Sequence, residues 1–263
     1  MAGQQISFDG DVNRQELVQS ALTDPQILAA LVENLSLEKR RVRQFSAQTI
    51  DQVSQTEPQL LLPYAADLID ALMRPEAQTR WECLLALAHV VPLDPPACEG
   101  AVSICEDMIF EDRNATVRIA ALRFMCAYGT TLPAHAKTVW PTIDEALQVF
   151  HGDIEYPDML TAVLYFAKSK LPEPVRKALA ERLEYDAENN RDRSGQLSAQ
   201  IVNICRPGKP AKRKPKPTKP PMPAPSDETP AQRGGRSAAK TRAKQPKKAD
   251  KKASRKNSAK TTE

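Results

Sequence analysis

Apolar and small residues recur along most of this chain at intervals of three and four, the spacing that lays one continuous stripe along an α-helix. From Val42 the series runs Val42, Phe45, Ser46, Thr49, Ile50 and Val53; from Val117 it runs Val117, Ala120, Ala121, Phe124, Met125 and Tyr128. No stretch alternates with a period of two for long, which predicts almost no strand. Pro25, Pro58, Pro75, Pro92, Pro95, Pro96, Pro133, Pro157 and Pro172 fall between helical stretches or at their starts, where a missing N–H is tolerated. The pattern predicts eleven short helices, over about 14–22, 25–34, 37–54, 59–73, 77–91, 97–110, 115–128, 135–150, 157–169, 173–188 and 193–205. Brief loops between short helices imply stacked hairpins and exclude one bundle of long helices.

The hairpins repeat. Arg43, Arg80 and Arg118 each open an apolar helix at spacings of 37 and 38, and the corresponding points near Asp158 and Gly195 continue the series at 40 and 37. A fixed period of this length marks a solenoid, in which each unit buries its apolar faces against its neighbours. The segment Glu111–Met125, EDRNATVRIAALRFM, resembles the entry to the second helix of a HEAT repeat: an Asp, a short turn, then Val-Arg and small apolar residues. Val42-Arg43 and Thr79-Arg80 are weaker matches. The resemblance spans about residues 37–205 and implies an all-α, HEAT-type α-solenoid of about five helical hairpins. It also implies a ladder of Asp and Arg side chains between units, to which Arg43, Arg80, Asp112 and Arg118 would belong. Leu37 and Arg74 stand at the expected Asp position and Asp158 at the expected Arg position, so the ladder is expected to be incomplete.

Charge divides the chain. Residues 207–263 carry 18 Lys and Arg against 4 Asp and Glu, a net +14; the whole is +4, which leaves −10 on residues 1–206. The basic segment has ten prolines and no Phe, Trp or Tyr, too little apolar surface to offset the entropy of ordering. The expected organisation is therefore an N-terminal arm (1–13), a helical repeat domain (14–206) and a disordered tail (207–263). The tail resembles the Lys/Ala-rich tails of linker histones and of bacterial histone-like proteins, which implies loose binding to phosphates. The cations expected to make these contacts are Lys209, Lys212, Arg213, Lys214, Lys216, Lys219, Arg233, Arg236, Lys240, Arg242, Lys244, Lys247, Lys248, Lys251, Lys252, Arg255 and Lys256. Without aromatic side chains to stack on bases, they would neutralise DNA or RNA phosphates without reading sequence. A passive spacer, or a tail lying on the acidic body, is the alternative use of the same charges.

Candidate chemistry is sparse. His89, His135 and His151 fall in different repeats with no ligand at metal-binding spacing, and they read as structural or surface residues. The five cysteines (Cys83, Cys98, Cys105, Cys126 and Cys205) form no CxxC pair and read as small packing residues. No Gly-rich phosphate loop or nucleophile turn is present, so no cofactor is expected and the chain reads as no enzyme. One constellation runs against this: Trp140 and Asp144 share a helix face, with Trp81-Glu82 as a second aromatic wall. It resembles the Trp and Asp pair of alkylation-repair DNA glycosylases of HEAT-like fold, although Pro141 and the acidic body favour core packing for Trp140. The cluster Lys39-Arg40-Arg41 reads as a solvated face. The start Met1-Ala2-Gly3-Gln4-Gln5 and the lack of a long apolar run predict a cytoplasmic protein, or one associated with a nucleoid, with no membrane or metal partner. The functional expectation is a non-catalytic scaffold or adaptor with an unidentified protein on the solenoid and nucleic acid on the tail. The two rivals are the glycosylase and an assembly scaffold with no nucleic-acid role.

Overall fold

The computed structural model describes residues 13–206, and all of them belong to one compact unit of the chain. Twelve α-helices follow one another: α1 (Arg14–Thr23), α2 (Pro25–Glu33), α3 (Arg40–Thr56), α4 (Ala65–Ala71), α5 (Ala77–Val90), α6 (Pro95–Cys98), α7 (Ala101–Glu111), α8 (Ala115–Thr131), α9 (Pro133–Val149), α10 (Tyr156–Ala167), α11 (Glu173–Asn189) and α12 (Arg193–Cys205). No strand occurs among the described residues. The stretch expected as one helix over 59–73 begins as a 3-10 segment, Pro58–Tyr64, with Pro63 inside it, and becomes α-helical only from Ala65. Pro63 has no N–H to donate to the carbonyl four residues back, which interrupts a regular α-helical ladder there. The helix expected over 97–110 likewise divides into α6 and α7, and the one expected from 37 starts at Arg40.

Five hairpins result: α2/α3, the 3-10 segment with α4 against α5, α7/α8, α9/α10 and α11/α12. The second helices (α3, α5, α8, α10, α12) pack in succession as one layer, here called the B layer. The first helices form the A layer, in which α7 meets α9 and α9 meets α11. This is the α-solenoid the periodicity implies. Side-chain caps set several of the helix starts. Asp24 accepts from Gln26 N at 2.8 Å, Asn114 from Thr116 N at 2.9 Å, and Asp192 from Gly195 N at 2.9 Å.

A single apolar core runs through all five hairpins. α8 lies at its centre and is buried on most of its circumference, from Val117 through Phe124 and Met125 to Gly129. The stripe on α3 is more polar. Ser46, Thr49, Ile50 and Val53 are buried, while Phe45 is half-buried beneath the Arg14 guanidinium, 5.0 Å from its ring centre. Gly129 marks the tightest helix approach, because a Cβ there would lie 2.7 Å from both Phe166 on α10 and Val139 on α9.

One arginine per repeat ties the hairpins together. Arg43, Arg80 and Arg118 each occupy the fourth position of a B helix. Each donates Nη1 to carbonyls of its own inter-helix turn: Arg43 to Glu38 O at 2.8 Å, Arg80 to Arg74 O and Pro75 O at 2.9 Å, Arg118 to Asp112 O at 2.8 Å. Each also reaches a carboxylate in the next repeat. Arg43 pairs with Glu76, Arg80 Nη2 meets Asp112 Oδ2 at 2.6 Å, and Arg118 pairs with Glu155, its Nε 2.9 Å from Oε1. The acids absent from the expected position thus come from Glu76 and Glu155, which stand at the N-caps of α5 and α10, while Asp112 closes α7. A carboxylate anywhere in these turns faces the positive end of the following B helix, so its offset can vary. The last step inverts polarity: Asp158 on α10 meets Arg193 on α12 at 2.9 Å, in an exposed pair.

Two stability predictions follow from these contacts. Gly129→Ala, a change that favours most helices, should here cost about 1–3 kcal/mol through overpacking against Phe166 and Val139. A melting temperature equal to or above that of the parent would refute the close approach. Arg43→Ala should cost about 3–5 kcal/mol in denaturant unfolding, because Glu76 would remain buried without its partner, whereas Arg43→Met with Glu76→Met should cost much less. Burial, the largest single influence, would raise the Glu76 carboxyl, but the Arg43 hydrogen bond, a backbone hydrogen bond and the charges of Arg43 and Arg40 together outweigh it and hold the group below its ordinary 4.5. The Glu76 contribution is therefore full above that value and is lost as pH falls through the lowered one, and Arg43→Ala should flatten that part of the acid-unfolding curve.

Candidate functional site

The B layer carries a groove of 510 Å³ that crosses four successive helices. Asp51 and Gln55 of α3 form one end; Leu85, Ala88 and His89 of α5 follow; then come Arg123 and Ala127 of α8, and Thr161, Ala162 and Tyr165 of α10. Leu85, Ala88, Ala127 and Ala162 are buried or half-buried, while Gln55, His89, Arg123, Thr161 and Tyr165 are exposed. Three alanines among these apolar lining residues keep it open, since larger side chains would fill the space. Chemically it is an apolar trough edged by hydrogen-bonding and charged groups.

Its polar end is constrained. Asp51 is only 6% exposed; Oδ2 accepts from Gln55 Nε2 at 2.8 Å, and Oδ1 has no hydrogen-bond partner among the described residues. Burial pushes the Asp51 carboxyl above its ordinary 3.8, against the opposing pull of the Gln55 hydrogen bond and the charges of His89 and Arg123. Glu82, one B helix further on and 7% exposed, is raised for the same reason, with the Asp51 charge adding to burial. Ser54 donates to Asp51 O at 2.6 Å, and its Oγ lies 2.8 Å from His89 Nδ1. With the hydroxyl proton directed at that carbonyl, Nδ1–H of the imidazole is the donor to Oγ, and in the neutral form of the ring this leaves Nε2 as an acceptor.

The residues singled out in the sequence fall elsewhere. Trp140 and Asp144 lie on α9 in the A layer and line a shallow 280 Å³ depression with Ala178, Glu181 and Arg182. Both Asp144 oxygens are engaged by Arg182, at 2.6 Å to Nε and 2.8 Å to Nη2. Trp81 and Glu82 sit on α5 in the other layer, so the structure does not bring the two Trp-acid pairs into one site. His135 stacks on Tyr128 with ring centres 4.2 Å apart. His151 Nε2 lies 3.0 Å from Asp186 Oδ1, a carboxylate that also accepts from Tyr156 and Asn190. All five cysteines are buried and unbridged; burial raises each thiol, Cys98 and Cys205 to about 11, which leaves them poor nucleophiles. Among the described residues no group of three His, Cys, Asp or Glu side chains is placed to hold a metal ion, and no helix is long and apolar enough to cross a membrane. The tail cations from Lys209 to Lys256, and the N-terminal arm apart from Asn13, lie outside the described residues.

No family model and no curated protein sequence matches this chain. Similarity lies in the fold. An engineered protein solved as a structural-genomics target superposes with a TM-score of 0.57 at 12% identity, over 73% of this chain and 88% of its own. A second engineered protein gives 0.58 at 14% identity, over 76% and 96%. A designed armadillo repeat protein, in complex with the peptide (KR)4, gives 0.59 at 12% identity, over 73% and 91%. At these identities the likeness shows an armadillo-like helical repeat architecture and nothing further.

Asp51 provides a direct check of the groove's energetics. A carboxyl raised on folding costs stability once both states ionise, so its penalty is complete above the raised value and absent well below 3.8. Asp51→Asn should therefore raise the melting temperature at pH 7 by about 2–4 °C, roughly 1 kcal/mol, and the gain should shrink to nothing in acid. A fall in stability at pH 7 would show that the carboxylate is held by favourable contacts.

Proposed function

We propose that this protein is a non-catalytic solenoid scaffold that holds an extended segment of a protein partner on its B layer and binds nucleic acid through residues 207–263. The observation that carries the first half is the groove across α3, α5, α8 and α10, with an apolar trough and a polar rim built from successive repeats. A trough of that form suits a peptide laid across the helices, its side chains against Leu85, Ala88, Ala127 and Ala162 and its backbone within reach of Gln55, Arg123 and Thr161. The peptide-bound state of the designed armadillo repeat protein supports the same use of this architecture. The second half rests on the net +14 of residues 207–263, set against −10 on the rest of the chain, which makes the tail the segment suited to phosphate. The glycosylase reading gains nothing from the geometry, because the Asp144 carboxylate is already committed to Arg182.

A labelled DNA duplex titrated with the full chain and with residues 1–206, over a series of salt concentrations, tests this division of labour. If about ten phosphates are contacted, log affinity for the full chain should fall with log salt at a slope of about −7 to −9, and residues 1–206 should show no binding. Binding by residues 1–206 equal to that of the full chain would remove the tail from the account.

A further inference from the structure

The groove has one end that its own residues leave chemically incomplete. Asp51 is nine-tenths buried, yet Oδ1 meets no donor among the described residues, and Asp51 lines the groove. A buried carboxylate oxygen left unpaired costs free energy, and a ligand that brings a donor recovers it. His89 lines the same end; with Nδ1 held by Ser54, its second ring nitrogen is an acceptor in the neutral form of the ring. The Glu82 carboxylate lies close enough to raise Asp51's neighbourhood in negative potential. The positive groups that act here are His89 when protonated and Arg123, both on Asp51, and Arg14 on Glu82. None supplies a hydrogen bond to Oδ1.

We infer that Asp51 and His89 form a subsite for one cationic side chain, an arginine or lysine, of the extended segment that occupies the groove. This rests on the scaffold reading above and gives its partner a chemistry. The adjoining trough, with Leu85 and Ala88 beside His89, matches the aliphatic stem of such a side chain, while the charged head reaches Asp51. Net charge agrees, because residues 1–206 carry −10 and draw in a basic segment from solution. Arg123 stands next along the groove, on α8, and suits the main-chain carbonyls that precede or follow the cationic residue.

The probe is a fluorescein-labelled octapeptide, (Lys-Arg)4, titrated by anisotropy against the full-length chain at about 0.15 M salt, where exposed charges beyond about 8 Å are screened. Asp51→Asn should weaken binding about tenfold or more while the protein melts no lower than the parent. His89→Leu, an exposed position that leaves the core intact, should weaken it by a smaller factor. Asp67→Asn removes an equal charge from the exposed A layer and should change affinity by less than about twofold. Thr161→Trp, which fills the groove away from Asp51, separates the two levels of the argument. Weakening by Thr161→Trp without weakening by Asp51→Asn or His89→Leu would overturn the cation subsite and leave the groove as a peptide site. Equal small losses for Asp51→Asn and Asp67→Asn, with no effect of Thr161→Trp, would reduce the binding to general charge and overturn both. No binding of the octapeptide to the parent chain would do the same.

Discussion

The guanidinium at the fourth position of three successive B helices is the constraint on which the stack depends. Its planar fork lets one group serve two repeats: Nη1 closes the carbonyls of its own turn, and the remaining donors reach a carboxylate in the next hairpin. A lysine at the same place has a point charge and no fork, and could not hold both. The pairs are mostly buried, the Arg43 and Glu76 side chains being 9% and 5% exposed, so each rung is costly to break from one side. Hydrophobic burial supplies most of the driving force, as in any solenoid, but it is non-directional. The rungs give direction, because a guanidinium buried against one carboxylate admits one relative placement of neighbouring repeats.

Other polar contacts also cross from one repeat to the next. Glu106 accepts from Thr142, Asp144 from Arg182, Ser54 meets His89, and Asp186 meets His151, each pair separated by 35 to 38 residues. These polar groups facing a neighbouring repeat are thus paired by the repeat itself. Asp51 and Glu82 stand apart, because burial raises both carboxyls. An acid that burdens the fold beside an open groove is the arrangement expected where stability has yielded to binding. That contrast separates the B-layer groove from the A-layer depression, where Arg182 already satisfies Asp144.

Charge is distributed with the same division. The excess of Asp and Glu lies in residues 1–206 and the excess of Lys and Arg in residues 207–263. A partner drawn by one is repelled by the other, so a chain of net charge +4 presents two surfaces of opposite preference.

Much of the fold was legible in the sequence because helix periodicity, proline placement and repeat spacing are local or one-dimensional properties. The all-α solenoid, the buried stripe from Val117 to Tyr128 and the boundaries of most helices follow from them. Local signals also misled where they competed: Pro63 turned the start of the 59–73 stretch into a 3-10 segment, and the α3 stripe buried Asp51 while leaving Phe45 half-covered. The carboxylates of the rungs at Glu76 and Glu155 were hidden because they occupy no constant offset from the arginines they meet. The groove was hidden for the same reason on a larger scale. Asp51, His89, Arg123 and Tyr165 are spread over 115 residues and share no motif; each looks like an unremarkable helical residue in its own window. Periodicity determines which face of a helix is buried. Only the packing of four B helices decides which residues of different repeats stand side by side, because that placement depends on contacts between side chains roughly one repeat apart.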